Sequence, residues 1–333
     1  MAFKLKELFF VIVIFSLNTV KSQEMGFEEY NPKSTLVVPS HEVKKAKFPF
    51  IDVHSHQRSM SAASLKDLIN DMNALNEGIM VNLSGGSGDR LKNMTTSIQE
   101  NYPNRFVVFA NVDFDGVGKS GWTENAVKQL ELDVKNGAKG LKVFKSLGLR
   151  NTDTDGKRVA IDDKRLDAIW DKCAELGIPV LIHAADPKSF WDDMDADNER
   201  WLELKTHLGR KRSANDPAPW QQIIDEQHRM FKKHPKTKFI NAHMGWYAKN
   251  AKAFFIKYQD RILFGKDSWQ PEEFPTYFRV LETADEYFPY YKKYHAFWSM
   301  YGLDLPDEVL KKVYYKNALN LIPGLDKSLF PMD

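Results

Sequence analysis

Residues 50–57, FIDVHSHQ, combine the pattern of a buried strand with two histidines at its end. The stretch begins as an apolar run typical of a buried strand and ends in two histidines, His54 and His56. Residues two apart on a strand point to the same face, so these imidazoles point together. A buried strand gains nothing from two imidazoles on one face, which indicates a ligand pair at the end of the strand.

Six further runs of this kind follow, and segments with helical spacing of apolar residues lie between them. The runs lie at 78–83, 106–113, 139–145, 179–184, 238–243 and 261–267. Their alternation with helices predicts parallel βα units. Because the runs begin apolar and end polar, we expect an α/β fold of the (β/α) TIM-like barrel type, with the site at its C-terminal mouth. An open doubly wound sheet is the alternative, but no Gly-rich loop follows the first strand.

The barrel is expected to be short of one βα unit. Only 24 positions separate His243 from Asp267. That length fits one crossover helix but not two βα units. The sequence therefore predicts seven strands.

Metal-ligating residue types close four of these strands. His54 and His56 close the first, His183 the fifth, His243 the sixth and Asp267 the last. Neutral imidazoles and a carboxylate suit Zn²⁺ or a similar divalent ion. Such a site leaves one position for a water whose pKa the metal lowers, and a neighbouring base can accept its proton.

Each of these residues also has a structural explanation. An HxH pair can be a surface feature, His183 a hydrogen-bonded core histidine, and Asp267 the cap of a helix that begins near Ser268. Their joint position at successive strand ends favours the metal site.

Four motifs, in order, resemble the amidohydrolase superfamily: IDVHSH at 51–56, VLIHAADP at 180–187, FINAHMGW at 239–246 and ILFGKDSW at 262–269. They resemble in particular its amidohydrolase-related branch, which includes aminocarboxymuconate-semialdehyde-type decarboxylases. The tail LPDEVLKKVYYKNALNLI is similar to the closing helix of that branch, and the resemblance covers about residues 48–325.

The resemblance implies a ligand set and a catalytic residue. His54, His56, His183 and Asp267 would bind one divalent metal, with zinc expected, and His243 would be the general acid/base. In that family an extra helix and strand normally precede the GKD motif, and this chain lacks them. The missing unit would lie next to Asp267. Its absence therefore affects where Asp267 lies relative to the histidines.

The expected substrate contacts are two lysines and three tryptophans: Lys142, Lys145, Trp191, Trp246 and Trp269. The lysines are three apart, so at most one points inward from a regular strand. Some superfamily branches carry a carboxylated lysine here that bridges two metals, but the branch resembled usually has one metal. Contact with an anionic substrate or a site carboxylate is favoured, and a solvated strand end is the alternative. Aromatic walls suit a planar substrate, and core packing is the competing explanation.

The first residues resemble an export signal. Lys4 and Lys6 precede the apolar run 8–17, which is too short to span a bilayer, and cleavage is expected after Ser22. An uncleaved membrane anchor is the alternative. The expected organisation is a signal peptide at 1–22, an N-terminal arm at 23–48 and a barrel at 49–333, with a long insertion at 187–220 that could form a lid.

Composition limits the partners. The 333 residues carry a formal charge of +2, and the leader accounts for that excess, so nothing indicates a nucleic-acid or anionic-membrane partner. Cys173 is the only cysteine, so no intrachain disulfide can form and a core position is expected. The aromatic run 287–303 could be a homodimer patch or a buried helix pair.

Three functions are consistent with these residues. The preferred one is an exported metal-dependent hydrolase that uses metal-activated water on an amide, ester or lactone carbonyl. The second is a metal-dependent non-oxidative decarboxylase, and the third is a degenerate binding module that lost its chemistry with the missing unit. A small-molecule substrate, aromatic or carboxylated, is expected in the enzymatic cases.

Overall fold

The structure is a computed structural model that describes residues 26, 35–213, 215–246, 251–292 and 298–331. The predicted signal peptide and most of the arm lie outside the described residues. Met1–Thr35 and Leu36–Asp333 form separate units, and the elements below belong to the second. In the described part of the chain, we find no helix with the length and apolar character that a membrane span requires.

Seven short strands form two parallel sheets, and within each sheet every strand pairs with the next one along the chain. They are β1 (Phe50–Ser55), β2 (Glu77–Asn82), β3 (Phe106–Val108), β4 (Ala110–Asn111), β5 (Leu141–Val143), β6 (Val180–Ile182) and β7 (Phe239–Asn241). The sheets have the orders β1-β2-β3 and β4-β5-β6-β7. Only Phe109 separates β3 from β4, and its N–H donates to the Asn82 carbonyl (2.9 Å). The two are therefore halves of one stave, and the first six predicted strands are present.

Helices alternate with these strands, as predicted for βα units. They are α1 (Ala62–Leu75), α2 (Gly88–Asn101), α3 (Trp122–Lys135), α4 (Ser146–Leu149), α5 (Asp167–Glu175), α6 (Trp201–Thr206), α7 (Trp220–Lys233), α8 (Ala251–Lys257), α9 (Phe274–Glu282), α10 (Asp307–Lys311), a π-helix (Lys312–Lys316) and α11 (Asn317–Leu321). A small antiparallel pair, β8 (Phe288–Pro289) and β9 (Ser299–Met300), follows α9.

The strands divide their side chains between two apolar cores. On β6, Val180 and Ile182 pack in one core with helix residues such as Trp170, whereas Leu181 packs in the other core with Ile240. This alternation is the period of two expected of a strand buried on both faces. Together the parallel strands and covering helices form the predicted TIM-like α/β barrel. Cys173 is buried in the first core, as expected.

The seventh predicted strand, 261–267, lies beside β1 but is irregular. The N–H of Val53 donates to the Phe264 carbonyl (3.1 Å), and the N–H of Asp267 donates to the His54 carbonyl (2.6 Å). The C-terminal helices cover its other side. The Phe264 N–H donates to the carbonyl of Val313 in the π-helix (3.0 Å), and the Asn317 side-chain amide donates to the Ile262 carbonyl (2.8 Å).

A helix therefore covers an edge that a neighbouring strand would otherwise pair, which explains why the segment departs from strand geometry. In the described residues no backbone hydrogen bond joins β7 to the segment 261–267. A cavity of about 820 Å³ lies there instead. The barrel thus has seven staves and is short of one βα unit, as predicted.

The described end of the arm docks on and just after α9. The N–H of His41 donates to the Asp285 carboxylate (2.8 Å), and the N–H of Lys47 donates to the Glu282 carboxylate (2.9 Å). The insertion at 187–220 contains α6 and is joined to the segment after β6 by an ion pair between Arg212 and Asp186 (2.9 Å). Its role as a lid remains a prediction.

Candidate metal centre

The side chains at four stave ends meet in one place. Asp267 Oδ1 lies 3.3 Å from His54 Nε2 and 3.5 Å from His56 Nε2. Asp267 Oδ2 lies 4.0 Å from His243 Nε2, and that nitrogen lies 3.3 Å from His183 Nδ1. All five residues predicted to form the centre are therefore together, although the chain lacks one βα unit.

Three of these residues are placed to share one cation. His54, His243 and Asp267 each offer a ligand atom, and the three atoms lie within 4.8 Å of one another. Two imidazole nitrogens and a carboxylate oxygen are a common donor set for zinc and related divalent ions. The set differs from that implied by the family resemblance, which makes His243 the acid/base and adds His56 and His183 as ligands. That division of roles stays a prediction.

Burial keeps His54, His183 and His243 in the neutral form that binds metals. It lowers the pKa of His54 well below its usual value, and the charge of Lys142 adds to that effect. Burial also lowers the pKa of His183 to about 2 and that of His243 to about 4. Burial alone would raise the pKa of Asp267, but its hydrogen bond with His56 and its electrostatic attraction to the neighbouring imidazoles of His54 and His243 lower it overall. The centre thus offers neutral nitrogens and an ionised carboxylate.

The backbone is strained at two of the candidate ligands. Asp267 has φ 79° and His243 has φ 55°, in the left-handed region that residues other than glycine rarely adopt. Met244, which follows His243, has φ 51°. Each such residue costs on the order of 1–3 kcal/mol, and such strain clusters at functional sites. The sequence carries no signal for this feature.

Asp52 joins two parts of the centre through the backbone. Its Oδ1 accepts hydrogen bonds from the N–H of His54 (2.9 Å) and from the N–H of Lys266 (3.1 Å). The side chain is buried, and burial raises its pKa to about 6 despite the two bonds. Asp52 therefore fixes the end of β1 against the residue before Asp267. Its only sequence signal is a carboxylate inside the apolar run that precedes His54.

Gly265 allows the last stave to approach β1 closely. A Cβ added at Gly265 would lie 2.9 Å from His54 Cβ and 3.1 Å from His54 N. Real Cβ atoms do not approach other atoms so closely, so only glycine brings the neighbouring Lys266 and Asp267 this near to His54.

Of the two predicted lysines, only Lys142 points into the centre. It is buried on β5, and its Nζ lies 3.4 Å from His54 Nε2. Burial lowers its pKa to about 8, although the charge of Asp267 opposes that shift. Lys145 lies beyond the end of β5 and pairs with Asp186. Contact of one of these lysines with an anionic substrate or a site carboxylate remains a prediction.

Two of the three predicted tryptophans, Trp191 and Trp269, have packing partners in the described residues. The Trp191 indole N–H donates to the Ala218 carbonyl (3.0 Å), and its ring packs against the first core. The Trp269 ring lies 5.3 Å from the Phe274 ring and packs against both cores. The Trp246 side chain lies outside the described residues. A role in substrate binding remains a prediction for all three.

Comparison with known proteins agrees with this fold. A family model described as amidohydrolase matches residues 51–254, which is more than half of the chain. No curated protein matches the chain significantly.

Several solved structures are similar to this chain at low sequence identity. A dihydroxybenzoic acid decarboxylase from Polaromonas sp. JS666, with bound manganese and the inhibitor 2-nitroresorcinol, is 15% identical over 82% of this chain and 96% of that one, with a TM-score of 0.50. A manganese complex of 5-carboxyvanillate decarboxylase from Novosphingobium aromaticivorans is 14% identical over 85% and 99% of the two chains, with a TM-score of 0.48. An amidohydrolase from Mycobacterium avium subsp. paratuberculosis is 16% identical over 77% and 73%, with a TM-score of 0.43.

The barrel and its cluster of histidines and a carboxylate are those of the class of TIM-like barrels that bind metal ions. This chain belongs to the amidohydrolase family.

Proposed function

We propose that the protein is a metal-dependent hydrolase that cleaves a C–N or C–O bond next to a carbonyl group. The observation that supports this most strongly is the convergence of His54, His243 and Asp267, whose ligand atoms lie within 4.8 Å of one another. The neutral imidazoles and ionised carboxylate fit one divalent ion, and zinc is the metal we propose. Export after cleavage of the leader, and a homodimer, are further proposals that rest on the sequence.

A bound divalent ion supplies a Lewis acid that lowers the pKa of a water and polarises the carbonyl. His54 and Asp267 would hold that ion in both ligand sets considered above. His56 and His183 would be the further ligands when His243 acts as the acid/base. The oxygen of the water forms the new bond to the carbonyl carbon, and the C–N or C–O bond breaks. His243 accepts the proton of the water and passes it to the leaving nitrogen or oxygen. Because burial lowers its pKa to about 4, His243 is unprotonated at neutral pH and can accept that proton.

Lys142 is the cationic group best placed to orient a substrate. Its amine lies 3.4 Å from His54 Nε2, inside the buried end of the centre. In such a setting a charged amine interacts strongly with a carboxylate or a carbonyl oxygen. We therefore propose that the substrate presents one of these groups to Lys142.

Decarboxylation is the second candidate, and the position of Lys142 favours it, because a cation beside the metal ligands can receive a substrate carboxylate. The Polaromonas enzyme, a decarboxylase of dihydroxybenzoic acid, binds manganese and an aromatic inhibitor. In this alternative the C–C bond to the carboxylate breaks, carbon dioxide leaves, and a proton replaces it on the substrate carbon.

One pair of assays tests both candidates on the same zinc-loaded preparation. A panel of amides, esters and lactones is assayed for hydrolysis, and aromatic and muconate-like acids are assayed for carbon dioxide release. The proposal expects hydrolysis that disappears in His243→Ala and persists in His228→Ala, which alters an exposed histidine on α7. Carbon dioxide release without hydrolysis would replace the first candidate with the second. Zinc-loaded protein that is inactive in both assays would contradict both.

A further inference from the structure

We infer that the substrate carries an apolar chain, such as an alkyl or acyl group, and that this chain occupies the cavity left by the missing βα unit. The inference rests on the proposed function, because it places the reacting group of that substrate at the candidate metal centre. It concerns the cavity of about 820 Å³ between β7 and the segment 261–267.

The cavity is continuous with the metal centre. Its lining includes His54 and His243 at one end and, farther from the centre, side chains of β6, β7, α8 and α9. A molecule bound there can therefore place one end beside the candidate ligands while the rest lies in the cavity. Its volume is within the range of roughly 300–1,000 Å³ typical of small-molecule sites.

The lining is mainly apolar. Leu181 and Ile240 are buried barrel residues, and Phe255, Leu263 and Leu303 are partly buried apolar side chains. In a closed barrel, side chains of β7 such as Ile240 would face a neighbouring stave. Without that stave, apolar atoms of a ligand can contact the lining and remove the exposed surface of its partly buried side chains, such as Phe255, Leu263 and Leu303, from water.

The outer part of the lining has apolar groups exposed to water. Met244 is 44% exposed, Tyr258 38% and Tyr301 54%. Exposed large apolar side chains that cluster around one opening are typical of a surface that a ligand covers. The apolar surface thus continues from the buried end of the cavity to solvent, as a chain-like ligand requires.

A peptide strand fits this cavity less well than an apolar chain. A strand added to a sheet needs backbone partners, and two flanking edges would provide them in a closed barrel. One flank offers only the short edge strand β7. On the other flank, the Phe264 N–H already donates to the Val313 carbonyl, and the Ile262 carbonyl already accepts from Asn317. An alkyl chain has no polar groups, so it can bind in the cavity without leaving any hydrogen-bonding group unpaired.

The test uses a series of straight-chain hydroxamates, from acetohydroxamate through butyryl and hexanoyl to octanoyl, titrated calorimetrically into the zinc-loaded full chain. The hydroxamate group binds the metal, and only the chain varies. We expect the dissociation constant to fall about fourfold for each added methylene that the cavity buries. The same chains as simple carboxylates, measured on metal-free protein by displacement of a bound fluorescent apolar dye, should show the same order.

Two matched variants test whether the dependence on chain length arises in the cavity. Val280→Trp puts an indole into the cavity from α9, and Val134→Trp makes the same change at a partly buried valine of α3 that packs against the first core. We expect the dependence on chain length to disappear in Val280→Trp and to persist in Val134→Trp. Equal dissociation constants across both series, or an unchanged dependence in Val280→Trp, would overturn the inference. Failure of the protein to take up zinc would contradict the proposed function instead, while the carboxylate series would still test the cavity.

Discussion

The Asp267 carboxylate lies 3.3 Å from His54 Nε2, although the βα unit that normally precedes this aspartate in the family is missing. The reason is that Asp267 is positioned from the side of β1. The N–H of Asp267 donates to the His54 carbonyl (2.6 Å). The Asp52 side chain accepts a hydrogen bond from the N–H of the preceding residue, Lys266. These contacts do not pass through the absent stave, so its loss leaves the centre assembled.

Replacement of Asp52 tests this positioning directly. Asp52→Ala removes the acceptor of two backbone N–H groups, and we expect it to lower the free energy of unfolding by on the order of 1–3 kcal/mol. We also expect metal affinity to fall by roughly 10–100-fold, as for other residues that orient ligands. Asp52→Asn retains a carbonyl oxygen and should recover most of the affinity. Calorimetric zinc titration and chemical denaturation measure both effects, and wild-type affinity in Asp52→Ala would contradict the assigned role.

Gly265→Ala should displace His54. The added Cβ would lie 2.9 Å from His54 Cβ, a distance that forces the two chain segments apart. We expect zinc affinity to fall at least tenfold while the far-ultraviolet circular dichroism spectrum stays close to that of the wild type. The control is Gly209→Ala, because a Cβ there has no neighbour within 4 Å. Equal affinities in the two variants would show that close approach at Gly265 does not matter.

His243→Ala separates the two possible roles of this histidine. If His243 is the acid/base, the variant keeps zinc and loses turnover by roughly 100-fold or more, because general acid–base catalysis contributes about that much. This is the outcome we expect. Loss of zinc in His243→Ala would instead make His243 a ligand, which its place in the three-residue cluster permits. Zinc content by elemental analysis, together with the rate constant for substrate turnover, distinguishes the two.

Glu77 should make stability depend on pH. It is buried, and in the described part of the chain neither of its carboxylate oxygens has a hydrogen-bond partner. Burial raises its pKa well above the usual 4.5, Asp52 raises it further, and Arg105 opposes the shift. The folded-state pKa of Glu77 is higher than its unfolded-state pKa. Its contribution to the free energy of unfolding is therefore fully present below the unfolded pKa and is lost as pH rises through the folded pKa.

The variant Glu77→Gln should therefore be more stable than the wild type at neutral and alkaline pH, by about 1 kcal/mol or more, and similar to it in mild acid. Urea denaturation across this pH range measures the difference. Glu100→Gln, at an exposed position on α2, is the matched control and should leave the profile unchanged. A wild-type profile in Glu77→Gln would contradict a buried, ionising carboxyl at this position.

The parts of the structure that the sequence predicts are those that depend on local pattern. Apolar runs such as 179–184 give strands, and because the carboxyl ends of parallel strands meet at one edge, the polar residues that follow them converge. That reasoning predicts that His54, His183 and Asp267 lie close together. It also predicts that at most one of Lys142 and Lys145 points inward.

The remaining features depend on partners far apart in the chain. The segment 261–267 has the composition of a strand, but its geometry depends on what lies at its outer edge, and that is the Val313 carbonyl of a π-helix. The role of Asp52 similarly depends on a backbone N–H contributed by Lys266. No periodicity encodes such contacts, and none encodes the positive φ of His243 and Asp267.

The metal content of the purified full chain tests the central claim most directly. After reconstitution with zinc and removal of free ions, elemental analysis should find close to one equivalent per chain, with little in His54→Ala or Asp267→Ala and wild-type content in His228→Ala. Less than about a tenth of an equivalent in the wild type, or equal zinc in all four proteins, would contradict a metal centre at these residues and favour a non-catalytic barrel.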